Sequence, residues 1–153
     1  LPGDLFEKLS ASRNYLEATA MMRQLSFATA DMRLFAEFPW SEVPCDVGAF
    51  FKKVEEQFRV DPPRSDTQFY ASFSHIFGGG YTAGYYSYKW AEVLDADAFG
   101  RFKSEGILNP TVGKAYKEEI LAPGNSRPPM ESFRKFMGRD PDEKALLKRS
   151  GLL

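Results

Sequence analysis

Apolar positions recur at intervals of three and four residues through most of the chain, and that pattern predicts helices almost throughout. Asp4 to Leu9 predicts a short first helix after Pro2-Gly3. From about Asn14 to Phe38 good helix formers dominate, with Leu16, Ala18, Ala20, Met21, Met22 and Leu25 at helical spacing and no Gly or Pro between them. Such a helix spans about 37 Å, and Pro39 ends it. Asp46 can cap the next helix, ahead of Phe50 or Phe51, Val54 and Phe58. Pro62 to Ser65 predicts a loop. Phe69 to Phe77 is a short apolar segment that the pattern leaves open between helix and strand. Gly78, Gly79 and Gly80 break it, and Thr82 to about Lys103 predicts a second long helix, closed by Gly106.

Three short helices then share one grammar. Asn109-Pro110, Pro128-Pro129 and Asp140-Pro141 put proline at or near the first helical position. Asp140 with Glu143 resembles a capping box. Gly124, Gly138 and Gly151 stand where a helix C-terminus takes a left-handed residue. No run alternates long enough to predict a sheet. The expected class is all-α, and 153 residues suit one helical domain, 1–153.

Composition narrows the partners. A formal net charge of −1 leaves no basic excess to neutralise a phosphate backbone, so no nucleic acid is expected. The apolar stretches fall well short of a bilayer span, so no membrane is expected either. One cysteine, Cys45, rules out an internal disulfide and a cysteine-rich metal site. It fits a reducing compartment, with the cytoplasm as the expectation. The chain opens Leu-Pro-Gly-Asp with no initiator Met, and a fragment of a longer protein is expected.

The unusual segment is 73–90, Phe-Ser-His-Ile-Phe-Gly-Gly-Gly-Tyr-Thr-Ala-Gly-Tyr-Tyr-Ser-Tyr-Lys-Trp, which holds the chain's only histidine. Three glycines in a row cost backbone entropy, and they mark a loop that moves or one that another group approaches closely. On a helix, Tyr81, Tyr85, Tyr88, Glu92 and Asp95 fall within about 40° of one line, while Trp90, Val93 and Leu94 face the other way as core. A row of neutral phenols beside such a loop could hold a peptide carbonyl or stabilise an oxyanion. Tyrosines at this spacing are also common as core or interface residues, and a lone histidine is often structural. Glu92 and Asp95 read as solvated or paired, and Asp97 with Arg101 as a helix ion pair.

Gly78-x-Gly80-x-x-Ala83 also fits a dinucleotide-binding fingerprint, with Asp97 placed for a ribose, but that fold needs a parallel sheet and no second strand is predicted. A single histidine cannot supply a His-Glu-x-x-His zinc helix.

The segment from Phe73 to Phe99 closely resembles the glycine-rich loop and following helix of the zinc oligopeptidases that include oligopeptidase A, dipeptidyl carboxypeptidase and thimet oligopeptidase. The resemblance extends through Asn14 to Arg33. It continues in Ile120-Leu121-Ala122-Pro123-Gly124 and in Phe133-Arg134-Lys135-Phe136-Met137-Gly138-Arg139-Asp140-Pro141. What it implies is the C-terminal part of a mostly helical, two-lobed peptidase of short peptides, one wall of its substrate channel. Zinc in the parent enzyme would be held by residues upstream of this chain, with no metal ligand here, so the isolated chain is expected to be inactive. Carried over, Tyr88 is the oxyanion-stabilising tyrosine and Tyr81 a second catalytic tyrosine. His75 and Tyr85 bind substrate, and Gly78, Gly79 and Gly80 form the accommodating loop. Expected partners are short peptides and either the N-terminal remainder of the protein or a second copy, which would cover an apolar patch. The alternative is a non-catalytic helical module for peptide binding or assembly.

Overall fold

The computed structural model describes residues 2–41, 44–62, 64 and 66–153, so of the loop predicted over 62–65 Pro63 and Ser65 lie outside the described residues. No strand occurs among the described residues, and the all-α expectation holds. Contacts divide the chain into two compact units, Leu1–Lys89 and Trp90–Leu153. Each has its own apolar core.

In the first unit α1 (Gly3–Ser12) buries nothing and leaves Leu5, Phe6 and Leu9 exposed. The long helix α2 (Glu17–Ala36) begins later than the pattern predicts because Leu16 takes φ 57°, which halts helical propagation. Its 20 residues span about 30 Å. Asp46 caps α3 (Val47–Glu55) as predicted, its Oδ1 accepting from the Ala49 N–H at 2.9 Å. The segment left open between helix and strand is helical: a 3-10 turn over Phe69–Ser72, then α4 (Ser74–Phe77). Phe27, Ala30 and Leu34 of α2 meet Phe51 and Val54 of α3 with Phe73 and Ile76, and Phe27 stacks on Phe69 at 4.6 Å between centroids.

The second long helix, α5 (Ser87–Glu105), starts five residues after Thr82, where the pattern put it. Residues 81–86 run instead as a succession of turns that leads into α5: Gly84 N–H donates to Tyr81 O, Ser87 to Gly84 O, Tyr88 to Tyr85 O and Lys89 to Tyr86 O. Ala83 sits at φ 51°, so no regular helix can pass through it. The wheel that aligned Tyr81 and Tyr85 with the later residues therefore does not apply to them.

The rest of α5 belongs to the second unit, where Val93 is buried but Trp90, expected in the core, is 43% exposed. Ala98 packs with Val112 of α6 (Pro110–Tyr116) and with Phe133 and Phe136 of α7 (Pro129–Met137). A π turn at Lys117–Leu121 extends α6, and α8 (Lys144–Arg149) closes the unit. Asn109 caps α6 through its Oδ1 and the Thr111 N–H. Gly124, Gly138 and Gly151 take φ of 52°, 74° and 68°, as their places predict.

Two polar expectations are corrected. Asp140 does not cap α8. It pairs with Arg134, and Asp142 Oδ1 accepts from the Lys144 N–H instead. Asp97 does not pair with Arg101, which turns to Glu105. It is buried, takes both Arg139 guanidinium nitrogens at 2.6 Å and accepts from the Asp142 N–H at 2.8 Å. Closing the last segment onto α5 this way satisfies a carboxylate that burial would otherwise penalise, and it leaves no ribose ligand.

The Arg139 hydrogen bond holds the Asp97 carboxyl below the ordinary carboxylate range. A lowered folded-state value stabilises the fold above about pH 4 and is lost as pH falls through it. Asp97→Asn is expected to lower stability near neutral pH by about 1–3 kcal/mol and to flatten the acid side of the stability profile. Thermal melts from neutral to acid pH check both effects.

Candidate functional site

The three tyrosines and the histidine singled out in the sequence come together in the first unit. Tyr81 stacks on Tyr88 with ring centroids 4.9 Å apart, and Tyr85 lies 5.1 Å from Tyr88. The His75 ring lies 5.9, 5.7 and 6.2 Å from those of Tyr81, Tyr85 and Tyr88. Phe73, which is buried, contacts both His75 and Tyr85 and ties the cluster to the core. Asp95, read onto the same helix face, pairs with Arg149.

The glycine run builds the return from α4 to Tyr81. Gly78 and Gly79 N–H both donate to Ser74 O at 2.8 Å, and Tyr81 N–H donates to His75 O at 3.0 Å. The Thr82 hydroxyl donates to Ile76 O at 2.7 Å. A Cβ on Gly79 would stand 2.8 Å from the Cα of His75, and Gly80 takes φ 80°. These two positions require glycine by close approach and by handedness. At Gly78 an added Cβ would meet only Ser74 O, at 3.9 Å.

Depth differs along the cluster. Tyr85 is half-buried and donates to Gln24 Oε1 at 3.0 Å, and burial raises its phenol above the ordinary tyrosine value. Tyr88 is 39% exposed, and His75 is exposed beside it. The Tyr88 phenol is also raised, first by a hydrogen bond with Tyr81, then by burial and by the neighbouring phenols. With the Tyr88 hydroxyl bonded to Tyr81, the Tyr81 O–H is left to donate outward.

Sequence reasoning missed the two α2 residues that hold this cluster from behind, Gln24 and Asp31. Asp31 is 0% exposed, and its carboxylate oxygens accept from Ala83 N–H and Tyr85 N–H, each at 2.9 Å. The signal was present: Asp31 lies four residues after Phe27 and three before Leu34, an acid on the face of α2 that goes into the core.

In the second unit an open cavity of about 600 Å³ is lined by Leu94, Phe99, Phe102, Ile107 and Ile120. Of its polar side chains, Asp95 pairs with Arg149, the Ser132 hydroxyl accepts from Arg127, and the Tyr116 ring packs against Phe102 and Phe136. Among the described residues no three His, Cys, Asp or Glu side chains gather as a metal site would need. No helix among them is long and apolar enough to cross a membrane.

The family model for Peptidase family M3 matches residues 1–152. The chain is 44% identical over 153 residues to oligopeptidase A of Haemophilus influenzae, covering 100% of this chain and 22% of that protein. It is 43% identical over 152 residues to oligopeptidase A of Escherichia coli, 99% of this chain and 22% of the relative. Dipeptidyl carboxypeptidase of Escherichia coli is 32% identical over 153 residues, at 99% and 22%. The chain thus spans about a fifth of the length of these relatives.

If Tyr81 holds the Tyr88 proton, Tyr81→Phe is expected to return the Tyr88 phenol toward the ordinary tyrosine value, about 10. Alkaline titration of ring-labelled tyrosine by NMR reads this directly, and an unmoved Tyr88 resonance would contradict the pairing.

Proposed function

We propose, since the chain belongs to peptidase family M3, that it forms the substrate-binding and transition-state-stabilising part of an oligopeptidase acting on short peptides. The observation that carries this reading is the stacked pair of Tyr81 and Tyr88, with one phenol proton to give and His75 alongside. A peptide carbonyl gains negative charge as it becomes tetrahedral, and a donor fixed in place before the reaction stabilises that charge without reorganising. Tyr88 keeps its proton well beyond neutral pH, in a hydrogen bond with Tyr81, and would turn it toward the oxyanion as the negative charge develops. Tyr85, held by Gln24, would brace Tyr88, and the exposed His75 ring would meet substrate backbone. Gly78, Gly79 and Gly80 would carry backbone rather than side chains past the peptide.

The described residues do not fit a zinc site, so the family's metal would be held by other residues of the parent protein and would supply water activation there. The isolated chain is therefore proposed to bind peptide without cleaving it. The exposed apolar residues of α1 support a covering partner, either further polypeptide of the same protein or a second copy. Free Cys45 is compatible with a cytoplasmic setting.

In the full-length protein Tyr88→Phe is expected to lower kcat by about 10²-fold with little change in KM. Tyr86→Phe, an exposed ring outside the cluster, is expected to leave both unchanged. Steady-state hydrolysis of a quenched-fluorescent peptide measures both, and an unaltered kcat for Tyr88→Phe would falsify the oxyanion role. For the isolated chain, light scattering at high concentration is expected to show self-association. A clean monomer counts against the apolar covering.

A further inference from the structure

We propose that Asp31 is the positioning residue of the tyrosine cluster, diverting residues 81–86 from a helix into the turn that sets Tyr81 against Tyr88. The proposal rests on the functional reading above for its catalytic consequence, but not for its structural one.

The competing path is visible in the sequence, where Thr82 onward has the composition and spacing of a helix continuous with α5. On such a helix Tyr81 and Tyr88 would stand seven residues apart, about 10 Å along the axis. Their ring centroids are 4.9 Å apart. The turn therefore creates the pairing, and it is not free. Ala83 at φ 51° is a left-handed residue with a Cβ, at a cost of about 1–2 kcal/mol. What compensates is the Asp31 carboxylate, fully buried on α2 between Phe27 and Leu34. Its two oxygens take the Ala83 and Tyr85 N–H groups, which alternate with Gly84, whose own N–H goes to Tyr81 O. Bonds from amides to a carboxylate are strong, and removing the acceptor leaves buried donors unmet.

Asp31→Asn keeps the size and one acceptor oxygen but replaces the other by an amide NH2 group, which donates and does not accept. In the full-length protein this variant is expected to lower kcat at least about tenfold, with KM changed less than about threefold. It is also expected to return the Tyr88 phenol toward its ordinary value and to give backbone shifts of residues 82–86 a helical character. Adding Tyr81→Phe to Asp31→Asn is expected to move Tyr88 no further, because the pairing is already lost. A folded Asp31→Asn protein with Tyr88 still raised and residues 82–86 unchanged overturns the proposal. If the variant does not fold, amide exchange of the wild-type protein decides. Ala83 and Tyr85 are expected to exchange far more slowly than Thr82, and equal rates overturn the proposal. A wild-type protein that cleaves no peptide refutes the peptidase reading alone, since the titration and the exchange still report on Asp31.

Discussion

Two hydrogen bonds of 2.9 Å, from the Ala83 and Tyr85 amides to the buried Asp31 carboxylate, join the aromatic segment to α2, and the remaining features of the cluster depend on that join. Because the amides are engaged there, α5 starts at Ser87 and Ala83 can remain left-handed. Because Ala83 is left-handed, Tyr81 doubles back onto Tyr88. Tyr85 is then drawn into the core edge beside Phe27 and Phe73, where Gln24 accepts its hydroxyl. A local sequence motif thus takes its shape from a residue 52 positions earlier in the chain.

The helical class, the Asp46 and Asn109 caps and the glycine C-termini were legible because each depends on a few neighbouring residues. The membership of the cluster was legible as well, though partly for the wrong reason. A helical wheel grouped Tyr81, Tyr85 and Tyr88, while the structure groups them through a turn. The rest failed where another partner or a backbone conformation overrode the local pattern. Asp97 prefers Arg139, 42 residues on, to Arg101 on its own helix. Asp140 turns to Arg134 rather than capping α8. Leu16 at φ 57° starts α2 late, and no propensity scale marks a leucine for that conformation.

Both units satisfy a buried carboxylate with backbone amides, by different means. Asp97 also has a guanidinium, so its charge is matched as well as its hydrogen bonds. Among the described residues, the donors to Asp31 are the two amides. Its ties are correspondingly directional. A bidentate guanidinium fixes the geometry between two side chains, whereas two N–H groups on a strained turn define one backbone path. That difference suits a carboxylate that shapes a site rather than one that closes a core.

The tight contact of Gly79 with the His75 backbone turns the glycine run into a spacer of fixed length. His75 and Tyr81 are bound to each other through the Tyr81 N–H and His75 O, and the residues between them have no slack to absorb a deletion or an insertion. Relatives of this chain that change the residue at Gly78 could keep the ring geometry. Those that gain or lose one residue between positions 75 and 81 would present a different histidine–tyrosine pairing to whatever binds. Loop length, more than loop composition, then sets which rings this surface can bring together.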